Sequence, residues 1–222
     1  MNKDIKKISI IMLILLCCII MAIIETIIEP TYFIKSFIKI IVFLLIPLLF
    51  MNIIKEKTFD KNYILNKKEI IRLLSLGIGI YLIIMIGYTI TNNIFDYTSL
   101  VNSLSEDQKV NSNNFIWIAL YISFGNSFLE EFLFRMLAFI KLSKFTTKKF
   151  SYIFSSFMFA IYHIAMIAKS FPFPLLLLSL IGLIAGGYIF NYLDDKNKNI
   201  YNSWIVHMFA DFAIMTIWFI NI

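Results

Sequence analysis

The sequence predicts an all-α fold, a polytopic transmembrane helical bundle of about seven spans (six to eight), and three observations carry that prediction. Of 222 residues 60% are hydrophobic and only 15% charged, against roughly 45–50% and about 25% in a soluble domain. So much apolar surface cannot be hidden inside a water-soluble globule of this length; it needs an apolar solvent. The apolar residues fall in long runs without alternation, which selects helices over a closed barrel. Between the runs lie short connectors that hold most of the Lys residues. The chain reads as one integral membrane domain, residues 1–222.

The first span covers residues 8–24 and follows Lys3, Lys6 and Lys7. Its basic start resembles a signal peptide, but the apolar run is long and no small-x-small site follows, so it reads as a retained anchor. The second covers residues 32–54. It contains Pro47, whose freed carbonyl a neighbouring helix must satisfy, and Lys35 and Lys39 near its start read as snorkelling. The third covers residues 70–90, and the polar connector 91–114 reads as an exposed loop. The fourth, residues 115–140, breaks the pattern with Glu130, Glu131 and Arg135. The fifth, residues 150–168, holds His163. The sixth follows Phe171-Pro172-Phe173-Pro174 and ends near residue 193; Gly182 and Gly186, four apart, predict a close helix approach. The seventh, residues 201–222, holds His207 and Asp211.

The net charge of +6 raises nucleic-acid binding, but its placement in connectors argues for orientation and contact with anionic lipid headgroups instead. With the N-terminus cytoplasmic, the inside segments 1–7, 55–72, 141–149 and 196–198 hold fifteen Lys and Arg residues. The outside segments hold four: Lys35, Lys39, Lys109 and Lys169. That bias predicts a cell-membrane protein with its N-terminus cytoplasmic and its C-terminus outside. Cys17 and Cys18 are adjacent in an apolar run and have neither metal-site spacing nor disulfide geometry; they read as small fillers. Trp117, Trp204 and Trp218 read as interfacial or lipid-facing, and Glu25 and Glu29 as the outer end of the first span.

An ionisable group deep in a span costs at least about 2.5–3.5 kcal/mol on insertion scales and so faces the bundle interior with a partner. At 1.5 Å per residue, His163 lies roughly 20 Å from the cytoplasmic start of its helix, and Glu130 roughly 15 Å from the inner end of its own. His207 and Asp211 fall at roughly 9 and 15 Å. All four can meet in the inner half to middle of the membrane. Glu131 and Arg135 share a face and can pair, which leaves Glu130, turned about 100° away, free for proton transfer. A Glu–His pair around a water is a general-base arrangement for attack on a peptide carbonyl, and a second His can donate to the developing oxyanion.

Glu130-Glu131-Phe132-Leu133-Phe134-Arg135, Phe159-Ala160-Ile161-Tyr162-His163 and His207-Met208-Phe209-Ala210-Asp211 match the patterns E-E-x-x-x-R, F-x-x-x-H and H-x-x-x-N/D. In order and spacing they resemble the CPBP (Abi) intramembrane protease family, which includes type II CAAX prenyl endopeptidases and bacterial proteins tied to bacteriocin processing and self-immunity. The resemblance covers residues 115–222, the expected catalytic core. It implies that Glu130 and His163 activate water, that His207 and Asp211 stabilise the tetrahedral intermediate, and that Glu131 and Arg135 brace the site. Phe159 is left a wall-forming role. Asp211 departs from the Asn that family members often carry; it must be protonated, orient His207 or help bind a metal. Family members are commonly labelled metalloproteases, so a divalent metal such as Zn on Glu130, His163, His207 and Asp211 is a candidate cofactor, although no H-E-x-x-H pair is present.

The expected activity is an intramembrane endopeptidase, dependent on glutamate or metal, acting on a membrane-associated, prenylated (CAAX-type) or bacteriocin-like peptide. Its expected partners are the lipid bilayer and that substrate, with no nucleic acid. Two readings stand beside it. One is a non-proteolytic bacteriocin self-immunity or membrane scaffold protein. The other is a transporter using the same groups as a proton path, which the lack of a repeated pair of interrupted helices disfavours.

Overall fold

The computed structural model describes residues 2–58, 65–111 and 113–222; Lys61 and Ser112, which fall in connectors of the sequence reading, lie outside them. Eight helices occur among the described residues: α1 (Lys3–Ile28), α2 (Tyr32–Ile53), α3 (Lys67–Thr91), α4 (Tyr97–Gln108), α5 (residues 115–141), α6 (Lys148–Ile167), α7 (Phe173–Asp195) and α8 (Tyr201–Asn221). Six of them, all but α4 and α5, are long and apolar enough to cross a membrane. α5 is the expected fourth span and is helical throughout; Glu130, Glu131 and Arg135 make it less apolar than the six. The chain is a helical membrane bundle.

Local chemistry explains most boundaries. Asn2 accepts from the Asp4 backbone N–H at the start of α1. Asn66 and Glu69 form a reciprocal capping box at α3, which satisfies two otherwise orphaned N–H groups. Asp96 and Thr147 cap α4 and α6. The residue at the N-terminus of α8, Ile200, offers no side-chain cap; Asn199 accepts from the Tyr201 backbone N–H at 3.0 Å, and the buried Asp194 of α7 accepts from the Ser203 backbone N–H at 3.0 Å and from the Ser203 hydroxyl at 2.7 Å. In α2 the backbone widens into π turns at Ile41–Leu45, just before Pro47. The Val42 carbonyl there accepts from the Cys17 thiol at 3.2 Å, so one cysteine does more than fill space.

α5 occupies the centre. Every residue from 129 to 142 is buried, because lipid cannot solvate Glu130, Glu131 and Arg135 and other helices must enclose them. Residues 131–141 run in π turns, a geometry frequent at functional sites. α1, α2, α6, α7 and α8 pack around this helix, while α3 lies at the edge against α8.

The structure corrects several expectations. The connector 91–114 is not a plain exposed loop, because α4 folds across it and pins the end of α8: Trp218 Nε1 donates to Ser105 Oγ at 2.9 Å. Trp204 also turns inward, donating to the Phe124 carbonyl at 3.1 Å, and Trp117 alone of the three stays largely exposed, at 74%. Gly182 and Gly186 meet no neighbour; the close approach is at Gly187, where an added Cβ would stand 3.0 Å from Ser156 Cα. Glu25 is not merely a span end, since it pairs with the buried Lys35 at 2.9 Å. Lys39 does not snorkel either.

Candidate active site

The structure brings Glu130, His163, His207 and Asp211 together from α5, α6 and α8. Glu130 Oε2 lies 3.3 Å from His163 Nε2 and 3.8 Å from His207 Nε2, and makes no aligned hydrogen bond. It is the open vertex of the cluster. Asp211 Oδ1 lies 3.7 Å from His207 Nε2, one turn along the same helix and beyond hydrogen-bond reach. Asp211 therefore makes no direct hydrogen bond to His207.

The far nitrogens fix both imidazoles. His163 Nδ1 is 2.8 Å from the Phe159 carbonyl, which can only accept, so Nδ1 carries the hydrogen and Nε2 is turned to Glu130. His207 Nδ1 donates to Glu131 Oε1 at 2.7 Å, so its Nε2 also faces the cluster. Glu131 is thus shared. Its other oxygen lies 3.2 Å from Arg135 Nε, with both side chains fully buried. The Arg135 guanidinium sits 4.2 Å from the centre of the Phe159 ring and 4.9 Å from that of Phe190, a cation–π sandwich. Phe159 contacts His163, His207 and Phe134 as well, with ring centres 4.4, 5.6 and 5.5 Å away. It forms a shared wall.

Sequence reasoning missed two polar members. Lys39 of α2 places its ammonium 2.7 Å from Glu130 Oε1 and also donates to Asn126 Oδ1. Asn126 Nδ2 donates to the same Glu130 oxygen at 2.9 Å. A signal for Asn126 was present, four residues before Glu130 on one helical face. For Lys39 the signal was depth, since it stands two turns into an apolar run where snorkelling becomes difficult. The site therefore draws on a helix outside residues 115–222.

The charge balance follows. Glu130, Glu131 and Asp211 face the cations Lys39 and Arg135, one acid in excess, and the imidazoles lie between them to accept a proton. Among the described residues no group of three or more His, Cys, Asp and Glu side chains is placed to hold a metal ion. Glu130 commits one oxygen to Lys39 and Asn126, which leaves it at most one oxygen for a metal. The residues as placed do not fit a zinc site.

Residues 112–213 match the family model described as Rce1-like, Type II CAAX prenyl endopeptidase Rce1-like. No curated protein and no solved structure matches the chain. The match begins just before α5 and ends within α8, spanning all three helices that build the Glu130–His163–His207 cluster. The stretch that supplies these three residues is accordingly similar to the type II CAAX prenyl endopeptidases that this family model describes.

Proposed function

We propose that the protein is an intramembrane endopeptidase that hydrolyses a peptide bond near the prenylated C-terminus of a CAAX-type substrate, using Glu130 and His163 to activate water. One observation carries this reading: a carboxylate oxygen without an aligned partner faces two imidazole nitrogens whose opposite nitrogens are already committed. In this mechanism water binds against Glu130 Oε2 and His163 Nε2 and gives up its proton to them as its oxygen attacks the carbonyl carbon. The C–O bond forms and the carbonyl oxygen becomes an oxyanion. His207, held by Glu131 through Nδ1, donates from Nε2 in its imidazolium form to that oxygen. Collapse breaks the C–N bond, and the proton taken from water passes to the leaving amine. Arg135 holds Glu131 in place.

Access belongs to the same proposal. With the N-terminus cytoplasmic, the cluster lies in the inner half to middle of the bilayer, within reach of a lipid-anchored C-terminus arriving from the cytoplasmic side. The test uses purified protein in liposomes with quenched-fluorescent farnesylated and geranylgeranylated CAAX peptides. Wild type cleaves; Glu130→Gln and His163→Ala each lower kcat by at least about 100-fold, the usual contribution of a positioned acid or base. Cleavage that survives both substitutions in folded protein ends the reading. So does wild-type protein that leaves every peptide intact, an outcome that instead suits an immunity or scaffold role.

A further inference from the structure

Lys39 lies outside the segment that matches the protease family, yet its ammonium is 2.7 Å from Glu130 Oε1. Its residue is only 5% exposed, and an ammonium is held out of water only where its charge and its N–H groups are met. Here they are met on several sides. Glu130 Oε1 and Asn126 Oδ1 accept from it, and the rings of Phe43 and Tyr162 lie 5.1 and 4.8 Å away, within cation–π range. Asn126 closes a three-membered circuit by donating its amide N–H to the same carboxylate oxygen. A carboxylate is planar, so holding Oε1 from two directions also sets where Oε2 points. It points at His163 and His207.

We propose that Lys39 is a positioning residue of the proteolytic site: with Asn126 it clamps one oxygen of Glu130 in the carboxylate form and leaves the other to act as the base. The proposal rests on the proteolytic reading above and adds α2 to the working machinery. Lys35 provides the internal control. It stands one turn earlier on α2 and is 3% exposed, but its carboxylate partner is Glu25. Lys35→Met therefore carries the structural cost of deleting a buried ammonium from this helix without touching Glu130.

The protonation state of Glu130 is read by infrared spectroscopy on full-length protein at pH 7, with the Glu130→Gln difference spectrum assigning the band. Wild type and Lys35→Met show Glu130 as a carboxylate, whereas Lys39→Met shows a protonated carboxyl C=O band. Against the farnesylated peptide, Lys39→Met loses about 30-fold or more in kcat relative to Lys35→Met, with a smaller change in KM, as for a group that acts on the chemical step. If Lys39→Met does not fold, Asn126→Leu removes the other donor to Oε1 and shows the same band with a loss of about tenfold. A Lys39→Met (or, in its place, Asn126→Leu) protein that keeps the wild-type carboxylate spectrum, or that cleaves within threefold of Lys35→Met, overturns the proposal. Wild type that cleaves nothing sinks the proteolytic reading instead, and the infrared arm still decides whether Lys39 holds the carboxylate.

Discussion

Only Leu73 and Gly77 of α3 are buried, whereas every residue of α5 from 129 to 141 is. Both helices are mostly apolar, and they solve opposite problems. α3 has no Asp, Glu, Lys, Arg or His after Arg72, so lipid can cover nearly all of it and it touches the bundle along one stripe. α5 carries Glu130, Glu131 and Arg135, which lipid cannot solvate, and other helices must enclose it to supply partners. In a bilayer the usual sorting reverses: apolar side chains tolerate the outside, and charges are driven to the centre. The largest test of this contrast is Arg135→Met. It strips Glu131 of its ion-pair partner and leaves only the His207 hydrogen bond, and breaking a buried pair in this way costs about 3–5 kcal/mol. Ile83→Ala on α3, where the side chain is 70% exposed, changes stability by about 0.5 kcal/mol or less, because lipid replaces the lost methylenes. Thermal unfolding in one detergent measures both. Equal losses would break the comparison.

The same contrast explains what was legible in the sequence. The spans were readable because an apolar run of about twenty residues has few other uses. The Glu130, Glu131, Arg135, His163, His207 and Asp211 set stood out because ionisable groups within spans are rare, and depth arithmetic alone allowed three helices to bring them to one level. Depth does not say which neighbour a side chain faces. Lys39 was assigned to snorkelling for that reason: one span gives its height and no azimuth, and its partner Glu130 is 91 residues away in sequence. Asp194 was invisible as a cap of α8 because it lies beyond the three-residue spacing that marks a local cap. The Gly182–Gly186 spacing was a sound motif on the wrong face, since α7 meets α6 through Gly187. The polar composition of residues 91–114 signalled water exposure correctly but not α4, whose helix is held by contacts to the end of α8.

The stripe by which α3 is attached sharpens the comparison at a finer scale. A Cβ added at Gly77 would drive into the Phe209 ring of α8, whereas one at Gly79 meets nothing within 4 Å. Gly77→Leu therefore overpacks the contact and costs about 1–3 kcal/mol, while Gly79→Leu, facing lipid, is near neutral. Phe209 lies between His207 and Asp211 in sequence, so pushing it away also disturbs the helix that carries the candidate site. Cleavage by Gly77→Leu drops further than cleavage by Gly79→Leu. If the two leucine variants behave alike in both unfolding and cleavage, α3 is not attached through this stripe.

The smallest effect belongs to a charge outside the spans. Glu56, just past the end of α2, accepts from Lys6 at 2.8 Å and lies 3.5 Å from Lys144, joining the beginning of α1 to the turn after α5. Burial pushes its carboxyl up, but the hydrogen bond and charge of Lys6 together with Lys144 more than offset this and hold it below its ordinary value of 4.5. A carboxyl depressed on folding contributes stability that is fully present above its unfolded value and fades as pH falls through the folded one. Glu56→Gln therefore lowers stability at pH 7, by about 1 kcal/mol or less because the pair sits where water can screen it. The gap between wild type and variant narrows as the pH drops below 4.5. Unfolding midpoints of both proteins at pH 7 and in this acid range measure it. A Glu56→Gln loss at pH 7 as large as that of Arg135→Met would mean that water-facing and enclosed charges are held alike, which the burial of α5 argues against.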